Sequence, residues 1–197
     1  MVRRRPALST VLIIGAVYGA FSEGYDRLWT AHMLQNFAFP AIGGFQPIIW
    51  LSGVRITTML LSAIAIESVR RRIDTTHHQS AARALFVIYA ILGASVVSIG
   101  LADSFALVVL VSLSAALVRH MADPIYTAWV NQRLDPQVRA TVISMSSQAN
   151  ALGQIAGGPG VGAIGTVWSL RAALVAAGLL LTPVLGLVRY TSEKHDG

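Results

Sequence analysis

Six apolar segments, each long enough to cross a lipid bilayer as a helix, occur at about 7–35, 47–68, 82–102, 105–131, 141–168 and 172–189. A bilayer core of about 30 Å needs about 20 mainly apolar helical residues. Lipid offers backbone groups no water to bond, so a spanning segment is either a helix or a strand of a closed barrel. Barrel strands alternate apolar and polar residues, whereas 108–111 and 174–181 do not alternate. The sequence therefore predicts an all-α membrane protein, a single domain of six transmembrane helices.

The composition supports a membrane protein over a soluble one. Only 12% of the 197 residues are charged and 54% are hydrophobic, whereas a soluble domain carries about 25% charged residues. The net charge of +6 does not indicate nucleic-acid binding, because the basic residues flank apolar segments instead of alternating with aromatic ones. The chain has no cysteine, which excludes disulfides and thiolate chemistry.

Arginine and lysine favour one side of the predicted bundle. If the N-terminus is cytoplasmic, the outer connections hold only Arg171 and, at their edge, Arg27, while Arg55 and Arg119 lie within segments. The remaining basic residues fall on the inner side: Arg3, Arg4, Arg5, Arg70, Arg71, Arg72, Arg83, Arg133, Arg139, Arg189 and Lys194. Since cytoplasmic connections are rich in these residues, we expect a multi-pass protein of the cytoplasmic membrane with both termini inside.

Polar side chains inside the segments mark a candidate pathway for a substrate or for protons, since such groups are costly in lipid. They recur in the first, second, fourth and fifth segments: Glu23, Asp26, Arg27, Arg55, Arg119, His120, Asp123, Gln148 and Asn150. The third and sixth segments are almost uncharged and are expected to face lipid. This order of charged, less polar and uncharged helices suggests two three-helix repeats, an arrangement found in secondary transporters.

More than one explanation remains open for two acidic and two basic side chains: Glu23, Asp26, Arg55 and Arg119. Glu23 and Asp26 could bind a substrate or a proton. Alternatively, they could form a structural ion pair with Arg27, which lies four residues after Glu23 on the same helix face, or lie at the outer membrane interface. Arg55 and Arg119 could hold an anionic group of a substrate or could balance the acidic side chains.

Alternatives also remain for the later polar residues. His120 and Asp123 suit either a proton relay or a hydrogen-bond network at the helix bend before Pro124. Gln148 and Asn150 could face a cavity or a neighbouring helix. The glycine-rich stretch 153–162 favours close helix packing over a ligand site, since small residues four apart let helices approach in lipid.

Three stretches carry a family resemblance: 19–29, 123–131 continued by 139–144, and 153–162. They resemble the C-terminal six-helix half of a bacterial transporter of the major facilitator superfamily (MFS). Gly158, Pro159 and Gly162 partly match a Gly-Pro-x-x-Gly-Gly element of antiporters in that family, with Ala163 in place of the last glycine.

The resemblance implies alternating-access transport of a small solute, possible efflux, and a cavity lined by the first and fourth helices. It also implies a partner, either the missing N-terminal six-helix half or a second copy, in addition to the lipid bilayer and the small-molecule substrate. The alternative is a non-transporting membrane scaffold or regulator derived from such a half. No enzyme, cofactor or metal site is expected, because the sequence lacks His-Glu-x-x-His and Gly-x-Ser-x-Gly.

Overall fold

The computed structural model describes residues 6–41, 43–72, 78–132, 134 and 136–193. Every regular element in these ranges is an α-helix, which confirms the predicted all-α class. Seven helices follow one another there: α1 (Pro6–Asn36), α2 (Pro47–Arg72), α3 (His78–Leu101), α4 (Phe105–Asn131), α5 (Pro136–Val167), α6 (Leu170–Leu179) and α7 (Thr182–Glu193).

The helices identify a multi-pass membrane protein. Five stretches are long and apolar enough to cross a membrane: Leu8–Asn36, Pro47–Ser68, Gln79–Leu101, Phe105–Asn131 and Leu170–Thr191. Helix α5 is less apolar than these five stretches, because serine, asparagine, glutamine and glycine take the place of many apolar residues. It is nevertheless 32 residues long, so it has the length for a crossing.

The sixth predicted segment, 172–189, is not one continuous helix. A turn separates α6 from α7 because Pro183 has no amide hydrogen and cannot bond the carbonyl of Leu179. The hydroxyl of Thr182 donates to that carbonyl instead, at 2.8 Å. The single-helix prediction is therefore wrong here, although α6 and α7 together supply the apolar stretch Leu170–Thr191.

Helices α1 and α5 pack closely through glycine, at a contact that we call the α1–α5 interface. A Cβ atom on Gly19 would lie 2.0 Å from the carbonyl oxygen of Asn150, and one on Gly153 would lie 1.9 Å from that of Ala16. The helices run parallel, since the contact moves from Gly15 and Ser146 to Gly24 and Val161. The interpretation of 153–162 as a packing surface is thus confirmed at Gly153, Gly157 and Gly158.

Helices α3 and α6, which each carry a single arginine, form much of the core. Helix α3 packs against α4, α6 and α7, and its Leu85, Leu92 and Ile99 are fully buried. Gly93 and Gly178 bring the backbones of α3 and α6 together. These helices are therefore more buried than we expected of helices that face lipid. On α3, one side carries the exposed Val87 and Ile91, among others.

Helix α2 is the most exposed span. Only 17% of its most apolar stretch is buried, compared with 50% for α1 and α3. It packs mainly against α4 and presents a row of exposed apolar side chains: Ile48, Ile56, Met59, Leu60 and Ile64. The described part of the chain therefore leaves α2 at the edge of the bundle, beside the polar residues of α1 and α4.

Candidate functional site

A two-pronged ion pair joins the middle of α1 to the middle of α4. Arg119 Nη1 and Nη2 donate to Asp26 Oδ1 and Oδ2 at 2.5 and 2.8 Å. The guanidinium of Arg119 also lies 5.9 Å from the ring centre of Tyr25. The Arg119 side chain is 24% exposed and that of Asp26 53%. The pair is thus partly open, and parallel bonds of this kind fix orientation as well as charge.

Two further hydrogen bonds join α1 and α4 on either side of this pair. Trp29 Nε1 donates to Ser112 Oγ at 2.8 Å, and the Tyr126 hydroxyl donates to the carbonyl of Val11 at 3.2 Å. The order of these partners makes the two helices antiparallel. Long side chains form these links, while the closest backbone packing of α1 is with α5. The space so left between α1 and α4 is called the α1–α4 gap.

A cavity of about 570 Å³ occupies the wider part of this gap, where α2 supplies a third wall. We call it the first cavity. It collects five of the nine candidate residues from three helices: Asp26, Arg55, Arg119, His120 and Asp123. Its remaining polar lining comes mainly from tyrosine, tryptophan, serine and threonine side chains: Tyr25, Trp29, Thr30, Thr58 and Ser112. The charge pattern of the sequence thus identified much of one continuous lining.

Arg55 and Asp123 line the first cavity without an ion-pair partner in the described part of the chain. Asp26 and Arg119, in contrast, largely neutralise each other. Of the two explanations for Arg119, the structure therefore favours charge balance. Arg55 and Asp123 remain available to a ligand.

A second cavity, of about 300 Å³, lies further along the gap, between α1, α3, α4 and α5. Asp123 lines both cavities, and Asn150 lines this one only. Three tyrosines from three helices surround it, Tyr18, Tyr89 and Tyr126. The sequence analysis missed them because tyrosines far apart in sequence form no motif.

Glu23 and Arg27 do not line either cavity. They pair with each other on α1, as the structural alternative proposed, and Arg27 is 74% exposed. The Cγ of Glu23 packs against Gly158, where an added Cβ would lie 2.8 Å away. Glu23 therefore belongs to the α1–α5 interface, and Asp26, one turn further, faces the gap.

The remaining candidates take separate positions. His120 donates from Nδ1 to the carbonyl of Ala116, at 2.7 Å on its own helix, so the described part shows no direct bond from His120 to Asp123. Asn150 accepts from Gln154 Nε2 at 2.7 Å. Gln148 is exposed on α5 and lines neither of the two cavities. Among the residues described, no three His, Asp or Glu side chains gather as a metal site would require.

The fold resembles half of an MFS-like transporter. The structure of the human organic anion transporter MFSD10 (TETRAN) matches with a TM-score of 0.70 at 16% identity. The match covers 92% of this chain and 40% of that one, so the chain spans well under half of that transporter. No protein-family model matches the sequence, and no curated protein matches it either.

Proposed function

We propose that the chain forms part of a secondary transporter that moves a small solute by alternating access, with the first cavity on the solute path. The observation that carries this proposal is the meeting of four charged side chains from three helices at one cavity: Asp26, Arg55, Arg119 and Asp123. Charged groups within membrane helices are costly, and they typically mark substrate or ion pathways. The transporter-like fold supports the same function.

Within this proposal the four charges divide into two roles. The pair between Asp26 and Arg119 holds α1 to α4 and breaks or re-forms as the helices move. Arg55 and Asp123 bind the solute, because their charges have no ion-pair partner among the described residues. A solute with both an acidic and a basic group would satisfy both side chains.

The transporter also needs a partner that covers the first cavity. The cavity lies beside α2, the most exposed helix, and the matched half-fold corresponds to 40% of a full transporter. A second six-helix body, either an N-terminal half or another copy of this chain, would enclose the cavity between two bundles. In lipid alone, Arg55 and the open side of Asp26 would carry a large desolvation cost.

We further propose six crossings, arranged as two three-helix repeats, with both termini in the cytoplasm. The parallel packing of α5 on α1 supports a crossing by α5. Much of the basic residue bias lies outside the described residues, at Arg3, Arg4, Arg5, Arg133 and Lys194. The positive-inside tendency supports this orientation in a cytoplasmic membrane. Within the proposal, the direction of transport is efflux, and the chain catalyses no chemical step.

Cysteine accessibility tests the cavity, because the natural chain has no cysteine. We would place single cysteines at Thr30 and Ala116, two half-buried positions that line the first cavity, and at Leu60 as the control. Leu60 is 65% exposed on α2, so it should face lipid and resist a membrane-impermeant maleimide, while the cavity positions react. Equal protection of all three positions from the maleimide would contradict a water-filled cavity and favour the scaffold alternative.

Flux measurements test transport itself. Proteoliposomes that contain the chain, alone and together with a candidate partner half, would be screened with labelled zwitterions, organic anions and organic cations. Arg55→Gln and Asp123→Asn should each abolish the flux that the natural chain supports. An accessible cavity without flux in any combination would contradict the transporter and leave a binding protein.

A further inference from the structure

The second cavity differs from the first in charge. Among the residues that the structure describes, two arginines, a histidine and two aspartates line the first cavity, whereas Asp123 is the only formally charged residue that lines the second. Two basic side chains outside this lining, Arg119 and His120, act on the charge of Asp123. The guanidinium of Arg119 is shared, because both oxygens of Asp26 accept from it and it also bonds Tyr18. The charge of Asp123 is therefore only partly balanced.

Aromatic rings form much of the remaining wall. The rings of Tyr18 and Tyr89 lie 5.8 Å apart and are tilted by 58°, and Tyr126 lies across from them on α4. The negative face of an aromatic ring attracts cations, most strongly where water is excluded. Since Tyr89 is only 3% exposed, part of this wall is well removed from water.

Two hydroxyl groups that line the cavity, those of Tyr126 and Ser146, have already used their protons. Tyr126 has a single hydroxyl proton, and the carbonyl of Val11 accepts it. In the 3.1 Å contact between Tyr126 and Ser146, Ser146 is therefore the donor, so neither hydroxyl has a proton left to donate to a ligand. Oxygen acceptors beside a carboxylate favour a positively charged ligand.

We propose that the second cavity binds a small organic cation of the ammonium class, held by the carboxylate of Asp123 and the rings of Tyr18, Tyr89 and Tyr126. A volume of about 300 Å³ suits a compact ligand of this kind. This site shares Asp123 with the solute site proposed in the first cavity, but its three tyrosines line the second cavity and not the first. The proposal concerns binding, and it stands whether or not the chain transports a solute.

Equilibrium binding of labelled choline to the purified full chain tests the proposal. Choline should bind saturably, while 3,3-dimethyl-1-butanol, which has the same shape without the charge, should fail to compete. Asp123→Asn should weaken choline binding at least tenfold. Asp103→Asn is the matched control, because Asp103 pairs with Arg171 outside both cavities, and binding should be unchanged.

A pair of substitutions at Tyr18 separates the ring from its hydroxyl. Tyr18→Phe keeps the ring and should bind choline nearly as well as the natural chain. Tyr18→Leu removes the ring and should weaken binding about fivefold, as expected for the loss of a cation–π contact. Both variants should show the thermal unfolding of the natural chain, which excludes misfolding as the cause.

Several results would overturn the proposal. They are the absence of saturable choline binding, equal competition by the uncharged alcohol, or unchanged binding in Asp123→Asn. If sodium ions compete with choline at the same carboxylate and Tyr18→Leu has no effect, the ligand of this site is an inorganic cation and the proposal is wrong. Since every readout is binding, a failure of solute flux would leave this result intact.

Discussion

Helix α1 meets its two neighbours in opposite ways. At the α1–α5 interface, glycines bring two parallel helices so close that a single methyl group has no space. Across the α1–α4 gap, antiparallel helices are joined by long polar side chains around two cavities. Glu23 and Asp26 stand three residues apart, yet the first packs against glycine and the second faces the gap. One helix thus combines a fixed contact with an adjustable one.

The difference follows from what lipid permits. Apolar helix surfaces gain little by leaving lipid for each other, so stable contacts depend on close packing between small residues. A polar contact costs free energy if it opens to lipid, but it can exchange partners where water or a ligand enters. We therefore expect mutations at the α1–α5 interface to change stability most, and mutations in the α1–α4 gap to change stability less while also altering binding.

The largest effect is expected from a methyl group at the α1–α5 interface. Gly19→Ala or Gly153→Ala would force the helices apart, because each new Cβ would lie about 2 Å from a backbone oxygen. We expect a loss of about 3 kcal/mol in the free energy of unfolding, measured by denaturation in mixed micelles. Gly162→Ala, on the same helix α5 but in open space, is the control and should cost nothing. Equal stability of all three variants would refute the fixed contact.

The ion pair of the α1–α4 gap comes next. Arg119→Leu leaves Asp26 without its partner and should cost about 2 kcal/mol, between the values for buried and surface pairs. A second substitution, Asp26→Leu, should restore about half of that loss. Arg171→Leu breaks the exposed pair with Asp103 and should cost less than about 0.5 kcal/mol. Additive losses in the double variant would show that the two side chains do not interact.

A smaller effect is expected from the hydrogen bond between Trp29 and Ser112. Trp29→Phe and Ser112→Ala should each cost about 0.6 kcal/mol, a typical value for a hydrogen bond between membrane helices. The double variant should cost no more than the larger single loss, since both changes remove the same bond. Unfolding in mixed micelles provides the measurement, and a double loss equal to the sum would argue against the contact.

The smallest effect is expected outside both contacts, at the pair between Glu23 and Arg27. Arg27 is 74% exposed, so Arg27→Gln should cost about 0.3 kcal/mol, as for a pair on a helix surface. Choline binding should be unchanged. A loss above 1 kcal/mol would mean that Arg27 has a partner in the assembled protein, such as the proposed second six-helix body.

The sequence predicted the helical class and the charged part of the first cavity's lining, because lipid leaves few structures available and makes polar residues conspicuous. It left open which carboxylate Arg119 contacts, since Glu23 and Asp26 differ by less than one helical turn. Glycines four residues apart, at 15 and 19 and at 153 and 157, indicate two packing surfaces. Their spacing does not show which helix each surface packs against. Pro183 signalled the break between α6 and α7, yet the continuous apolar run around it suggested a single helix.

The order of synthesis gives the α1–α5 interface a consequence for biogenesis. Helix α1 is synthesised before α5, which carries the glycines that cover it far along the chain. Until α5 is translated, Gly15 and Gly19 face lipid or the insertion machinery, and α1 has no close-packed partner. Chains stopped before residue 146 should therefore remain bound to insertase or be degraded. We expect the nascent chain to reach its stable fold only after α5 has been inserted and has packed against α1.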